Sequence, residues 1–104
     1  MTKTEEILSK LVSFATVSRD SNMDLIRYIE GYLRDLGVAS TLLENEDKTK
    51  ANLYASFGPL DAPGPMLSGH TDVVPIDGQD WTVDPCVLSA KDDILYGRGT
   101  TDMK

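Results

Sequence analysis

Two short segments of this chain hold the side chains best suited to chemistry. In the first, residues 69–72 (GHTD), His70 and Asp72 are two positions apart, so an extended backbone directs both side chains to one face. Asp72 can then accept a proton from the imidazole nitrogen that does not bind a metal. The segment predicts a metal ligand at His70, the only histidine in the chain. A His-x-Asp at a strand end is equally compatible with a simple turn in which the aspartate caps backbone amides.

The second segment is residues 97–102 (GRGTTD), in which two glycines allow a tight backbone and deliver a carboxylate at Asp102. This carboxylate can bridge two cations because each of its oxygens can bind one of them. Taken alone, the segment is better explained by Asp102 as the N-cap of a helix after a glycine turn. A phosphate-binding loop is disfavoured, because there is no third glycine and no following Lys-Ser or Lys-Thr pair.

Three further side chains near these segments are assigned no catalytic role. Arg98 is compatible with two functions, a bidentate contact that orients a carboxylate of the site or a buried structural ion pair. Trp81 is interpreted as a packing residue and not as one that stacks on a substrate. Cys86 follows a proline and has no second histidine available as a base, so it is interpreted as a small packed hydrophobic residue.

The hydrophobic period near the N-terminus predicts two helices that precede these segments. Thr2 lies three residues before Glu5, the spacing of a capping box, and apolar residues at helical intervals predict a helix over residues 4–14. A second amphipathic helix covers residues 25–36 and ends at Gly37. The two candidates for its N-cap are Ser21 and Asn22.

After the second helix the spacing of apolar residues changes from a helical period to an alternating one, which predicts strands. Residues 40–43 form one strand, a charged turn follows, and the alternation of Leu53, Ala55 and Phe57 predicts the inward face of another. The apolar run at residues 66–69 predicts a buried strand that ends at His70, where ligands gather in open α/β sheets.

A hairpin is predicted near the end of the chain, with residues 86–90 paired to residues 94–96 across a polar turn. The order of two helices followed by a mainly β segment indicates an α/β fold.

Composition limits the classes of protein to which the chain can belong. With 104 residues, 40% apolar and 26% charged, it suits one small folded domain. A net charge of −7 argues against nucleic acid as a partner, because phosphate binding draws its affinity mainly from Lys and Arg. The apolar runs are too short to span a membrane, and the first residues do not form a secretory signal. A cytoplasmic location is expected.

Together the two segments resemble the paired signatures of the M20 family of metallopeptidases and deacylases. The likeness lies in residues 68–75 (SGHTDVVP), residues 95–104 (LYGRGTTDMK) and the intervening residues 80–85 (DWTVDP). Near the N-terminus, residues 11–19 (LVSFATVSR) and 50–55 (KANLYA) resemble the acetylornithine deacetylase branch of that family. The sequence departs from the family pattern at Cys86, where an aromatic residue is frequent, and at Thr101, where a cysteine is common.

The resemblance implies a set of roles for the site residues. His70 would bind one zinc ion, Asp102 would bridge two, and Asp72 would be the catalytic residue that orients and polarises His70. A complete site would hold two Zn²⁺ ions, with Co²⁺ as an alternative. The general base, a glutamate of a Glu-Glu pair, and the remaining ligands would lie beyond Lys104. Residues 1–104 would then be the N-terminal part of a catalytic, metal-binding domain, without the rest of that domain and without the family's second domain.

The implied reaction is metal-dependent hydrolysis of an N-acyl amide. The expected substrate is N-acetyl-ornithine, cleaved to ornithine and acetate in arginine biosynthesis, by a parent protein that is a homodimer. N-succinyl-diaminopimelate and peptides are alternative substrates. A competing hypothesis is that the chain alone is catalytically inert, because zinc normally takes four ligands and only two are present. Uncovered sheet edges would also lead the isolated chain to self-associate or to be partly disordered.

Overall fold

A computed structural model describes all 104 residues of the chain, which divide into two compact units. The first unit consists of Met1–Asp20 and His70–Lys104, and the second is Ser21–Gly69. The regular elements, in chain order, are helices α1 (Lys3–Val12) and α2 (Met23–Asp35) and strands β1 (Ser40–Glu44), β2 (Ala51–Ala55), β3 (Ser89–Lys91) and β4 (Ile94–Tyr96). The predicted α/β fold, two helices followed by a mainly β segment, is confirmed, and the strands pair antiparallel. Neither helix is long and apolar enough to cross a membrane.

Helix α1, in the first unit, begins with the predicted capping box. The Thr2 hydroxyl accepts a hydrogen bond from the Glu5 amide at 3.2 Å, and the Glu5 carboxylate accepts one from the Thr2 amide at 2.6 Å. The helix ends at Val12, two residues before the predicted boundary at residue 14. At this end the Ser13 hydroxyl donates to the Lys10 carbonyl at 2.7 Å, which competes with continued helical bonding.

A parallel bridge between residues 16–18 and residues 71–73 positions the first chemical segment. Val17 pairs with Val73, and both are buried. The Val73 amide donates to the Thr16 carbonyl at 2.9 Å, and the Thr16 hydroxyl donates to the Thr71 carbonyl at 2.6 Å. These bonds satisfy the buried backbone on both sides and fix the stretch that follows His70.

The predicted hairpin near the end of the chain is present but shorter than expected. Ser89 pairs with Tyr96 and Lys91 with Ile94, so the turn consists of Asp92 and Asp93 alone. Both aspartates have positive φ, 52° and 60°, as a type I′ turn requires, and this geometry matches the twist of the strands on either side.

In the second unit, helix α2 contacts both strands of the β1–β2 hairpin. Asn22 occupies the N-cap position without a side-chain cap bond, because its side chain pairs with the backbone of Ala51 at 2.9 and 3.0 Å. Instead, the Ser21 hydroxyl accepts a hydrogen bond from the Met23 amide at 3.2 Å. Of the two predicted N-cap residues, Asn22 therefore occupies the cap position and Ser21 supplies the side-chain bond. The helix ends at Asp35, and the predicted terminator Gly37 follows the C-cap Leu36, where its φ of 79° allows a Schellman motif.

Two sequence predictions in this unit are wrong. The apolar run at residues 66–69 forms no strand, and Met66 and Leu67 are 79% and 95% exposed. A buried strand needs neighbours on both edges, whereas the strands here pair only as β1 with β2 and β3 with β4. Phe57 lies beyond the end of β2 and is exposed, so the alternating inward face of that strand is Ala51, Leu53 and Ala55.

Candidate metal centre

The structure brings His70, Asp72 and Asp102 together within the first unit. The His70 Nδ1 atom lies 3.0 Å from Asp72 Oδ1 and 3.1 Å from the Asp72 carbonyl oxygen. The opposite ring nitrogen, Nε2, lies 2.9 Å from Asp102 Oδ1. The imidazole is therefore held between two carboxylates that come from the two predicted segments, and the side chains of His70 and Asp72 are half exposed.

Both nitrogens of His70 face acceptors, and this arrangement favours positive charge at the ring. The hydrogen bond to Asp102, followed by the one to the Asp72 backbone, raises the pKa of His70 above its ordinary value. Each nitrogen has a carboxylate oxygen within 3.0 Å, so the ring can donate to Asp72 from Nδ1 and to Asp102 from Nε2. The geometry is the carboxylate–histidine arrangement predicted from residues 69–72.

The Asp102 carboxylate contacts the imidazole of His70. It lies in a run of turns over residues 98–103. Gly99 has a φ of 99°, a conformation that L side chains rarely adopt, so the tight glycine backbone predicted for this segment is present. A Cβ atom at Gly99 would also lie 2.9 Å from Lys104 Cγ.

A residue that the sequence analysis missed completes the arrangement around Asp72. The Ser18 hydroxyl donates to Asp72 Oδ2 at 2.5 Å, across 54 residues of sequence. This bond is the main cause of a lowered pKa of Asp72, with the charge of His70 adding to it. Each of the two carboxylate oxygens of Asp72 therefore has a hydrogen-bond partner.

A cavity of about 470 Å³ lies beside the three residues. Its lining comes from the two chemical segments, the β4 strand and Trp81. The polar lining groups named above converge at its wall, while Val74, Leu95 and Tyr96 supply apolar surface. A concave, largely apolar space with a few convergent polar groups is the usual form of a small-molecule site.

Arg98 makes neither of the ion pairs considered from the sequence. Its Nη2 atom donates to the Pro75 carbonyl at 3.3 Å and to the Gln79 side chain. The guanidinium lies over the Trp81 ring, 4.8 Å from the ring centroid. The predicted packing role of Trp81 therefore takes the form of a cation–π stack, and Arg98 joins residues 75–81 to the glycine turn.

Cys86 and the acidic turns have no part in this site. Cys86 is a free, partly buried thiol, in keeping with the packing interpretation. The acidic residues between β1 and β2 and those of the β3–β4 turn are exposed, as expected of solvated turns.

The donor chemistry of His70 and Asp102 fits zinc, while their number does not complete a zinc site. An imidazole nitrogen and a carboxylate oxygen are both zinc ligands, and the Asp72 contact on Nδ1 is the outer-shell partner that such a histidine usually has. No group of three or more His, Cys, Asp or Glu side chains in the chain is arranged to hold a metal ion. The pair therefore supplies two of the four ligands that zinc normally takes.

An exposed ion pair near the site gives a pH-dependent prediction. Arg19 Nη2 lies 2.7 Å from Asp77 Oδ2, and this hydrogen bond, followed by the arginine charge, lowers the pKa of Asp77. A lowered carboxyl pKa means that the pair stabilises the fold above the ordinary aspartate pKa and stops doing so as pH falls through the lowered value. Arg19→Gln is expected to raise the pKa of Asp77 towards its ordinary value, as measured by carboxyl carbon NMR. Arg27→Gln is the control, and an equal shift in both variants would contradict the pairing.

The sequence around the three residues of the candidate centre matches a known protein family. Residues 66–104 match Peptidase family M20/M25/M40. The resemblance to the M20 family is confirmed. The matched stretch contains all three residues of the candidate centre and both of the segments that predicted them.

The chain is also similar to curated acetylornithine deacetylases. It is 47% identical over 85 residues to the protein of Edwardsiella ictaluri, a match that covers 81% of this chain and 22% of the relative. It is 42% identical over 106 residues to the protein of Klebsiella pneumoniae and 39% identical over 106 residues to that of Erwinia tasmaniensis. Each of these two matches covers 95% of this chain and 27% of the relative. The chain spans about a quarter of the length of these relatives.

Proposed function

We propose that this chain contributes part of the metal centre of a metal-dependent amidohydrolase whose substrate is N-acetyl-ornithine. The observation that carries the proposal is the convergence of His70 Nε2 and Asp102 Oδ1, 2.9 Å apart, beside a cavity of about 470 Å³. The similarity to acetylornithine deacetylases supports this substrate over N-succinyl-diaminopimelate or a peptide. We further propose that the parent enzyme is cytoplasmic and acts in arginine biosynthesis.

In this proposal the chain's own residues have distinct roles. Zinc, with cobalt as an alternative, would supply the polarisation of the amide carbonyl and the activation of water. His70 would be a ligand of one ion, and Asp102 would be a ligand shared by two. Asp72 would keep the proton on Nδ1 and so present the lone pair of Nε2. Residues 1–104 would form the N-terminal part of the catalytic domain.

The test of this function begins with the coding frame that follows Lys104. A Glu-Glu pair and a later histidine are expected there, since the centre lacks a general base and further ligands; a frame without them would contradict the enzyme proposal. The protein from the extended frame, loaded with zinc, is expected to release acetate from N-acetyl-ornithine faster than it releases succinate from N-succinyl-diaminopimelate or cleaves a dipeptide. The opposite order would change the substrate while keeping the reaction class.

A second proposal is that Met1–Lys104 alone is catalytically inert. It is favoured by the donor set, in which two side chains face one another and no third His, Cys, Asp or Glu joins them to hold a metal ion. The chain on its own, mixed with zinc and N-acetyl-ornithine, is expected to show no turnover above that of zinc alone. Stoichiometric zinc together with turnover would overturn this proposal.

We also propose that the isolated chain self-associates, in addition to the homodimer expected of its parent. Two two-stranded sheets leave unpaired strand edges, and Leu60, Met66 and Leu67 are 85%, 79% and 95% exposed. Light scattering is expected to show species larger than a monomer. The double variant Met66→Ser with Leu67→Ser should shift the distribution towards monomer, whereas Val87→Ser, at a 55% exposed position, serves as the control. A monodisperse monomer with a cooperative melt would contradict the proposal.

A further inference from the structure

The hydroxyl of Ser18 makes a contact that neither predicted segment contains. Its Oγ atom lies 2.5 Å from Asp72 Oδ2, while Asp72 Oδ1 lies 3.0 Å from His70 Nδ1. One carboxylate thus links a serine on one side to the imidazole on the other. The chain of contacts runs from Ser18 through Asp72 and His70 to Asp102.

A carboxylate in the position of Asp72 needs such an anchor. The terminal torsion of an aspartate is broad, and the Asp72 side chain is 52% exposed, so water competes for both of its oxygens. A partner on Oδ2 removes that freedom and leaves Oδ1 directed at the imidazole. The result is a fixed acceptor for the Nδ1 proton.

Ser18 itself is held firmly in place. Its amide donates to the Val73 carbonyl at 3.1 Å, and its hydroxyl lies 3.3 Å from the same oxygen. The neighbouring pair Val17 and Val73 is buried, at 5% and 4% exposure. The hydroxyl is therefore delivered by the parallel bridge and not by a mobile loop.

Two nearby hydroxyls have backbone acceptors. The Thr16 hydroxyl donates to the Thr71 carbonyl at 2.6 Å. The Ser13 hydroxyl donates to the Lys10 carbonyl at the end of its own helix. Ser18 differs from these two residues in that its hydroxyl also reaches the Asp72 carboxylate.

We propose that Ser18 is a positioning residue for the metal centre: by holding Oδ2 of Asp72, it keeps Oδ1 directed at His70 Nδ1 and so orients the ring with Nε2 towards Asp102. The effect on the imidazole does not need a metal. The effect on cation binding rests on the proposed function.

The first measurement uses the whole metal-free chain labelled with ¹⁵N. His70 is the only histidine, so the imidazole nitrogens of the spectrum belong to it alone. Above the pKa of the ring, each nitrogen has one carboxylate acceptor, so the share of the Nδ1–H tautomer in the wild type is the reference for the variants. Ser18→Ala should lower that share, Ser18→Thr should restore it, and Ser13→Ala should leave it as in the wild type. An unchanged tautomer share in folded Ser18→Ala would overturn the proposal.

Should the alanine variant fail to fold, Ser18→Cys tests the same point. It keeps the volume of the side chain and replaces a strong donor by a weak one. A fall in the Nδ1–H share is again the supporting result, and a share equal to that of the wild type would overturn the proposal.

The second measurement is zinc titration of the same variants, and it separates this proposal from the proposed function. Loss of an outer-shell partner typically weakens metal binding by about 10–100-fold. Ser18 contacts Asp72 and not the ligand His70 itself, so Ser18→Ala is expected to weaken zinc binding by only about 10-fold. Ser18→Thr and Ser13→Ala are expected to bind zinc with the affinity of the wild type. A tautomer shift in a chain that binds no zinc supports the positioning of His70, and the same titration of the protein from the extended frame then tests the metal centre. Zinc binding with equal affinity and tautomer in wild type and Ser18→Ala overturns the role of Ser18 alone.

Discussion

Zinc binding by the chain is expected to weaken more than about 100-fold when His70 is replaced by alanine. Removing an outer-shell partner of a metal ligand already costs about 10–100-fold in affinity, and removal of the ligand itself costs more. His70 is the only imidazole in the chain, so no second ring can take its place. Isothermal titration of the wild type and His70→Ala with Zn²⁺ measures the difference.

The matched variants for this experiment are two Asp→Asn substitutions in the same unit. Asp102→Asn removes the carboxylate that faces His70 Nε2, and it is expected to weaken zinc binding as strongly as His70→Ala. Asp80→Asn removes the same charge at a position outside the cavity lining and should leave the affinity as in the wild type. Equal affinity in the wild type and His70→Ala would show that zinc binds elsewhere.

The fold of the second unit is expected to lose much of its stability when Leu25 is replaced by alanine. Leu25 is 2% exposed on helix α2, and truncation of a buried leucine typically costs about 2–5 kcal/mol through lost burial and the cavity that remains. Small domains are stable by only about 5–15 kcal/mol, so this loss is a large share of the total. Urea denaturation followed by far-ultraviolet circular dichroism should show a lower midpoint.

The control for this variant is Leu60→Ala. Leu60 is 85% exposed, so the same chemical change there should alter the free energy of unfolding by no more than about 0.5 kcal/mol. Equal midpoints for Leu25→Ala and Leu60→Ala would contradict the packing described for α2.

The elements that could be predicted are those whose signals are local. The capping box at Thr2 and Glu5, the glycine after α2 and the turn between β3 and β4 each depend on residues a few positions apart. Their backbone geometry follows from side chains within the same short stretch. Helix boundaries shifted by one or two residues because side chains such as Ser13 bond to the last carbonyls.

The failures concern burial and long-range partners. Residues 66–69 are apolar enough for a buried strand, but no strand pairs with them, so the pattern alone could not predict their exposure. Arg98 was expected to meet a carboxylate and instead contacts Pro75, Gln79 and Trp81. A cation is satisfied by carbonyls and an aromatic face as well as by an anion, and sequence does not distinguish these partners.

The three central residues of the candidate site could be predicted from the sequence, but the serine that contacts them could not. His70, Asp72 and Asp102 were named from their spacing and from the family resemblance, and the structure places them in contact. Ser18 was missed because 54 residues separate it from Asp72, and a serine between a valine and an arginine carries no local signal. The parallel bridge between Val17 and Val73, which brings the two residues together, is itself a long-range pairing that the sequence does not reveal.

The stack of Arg98 on Trp81 gives the chain an optical probe of its own. Trp81 is the only tryptophan, and it shares the lining of the cavity with His70 and Asp102. Its indole lies 4.8 Å from a guanidinium that is anchored to the glycine turn, so movement of that turn changes the electric field at the chromophore. Tryptophan emission can therefore follow events in this cavity without an added label, and the signal arises from one residue at a known place.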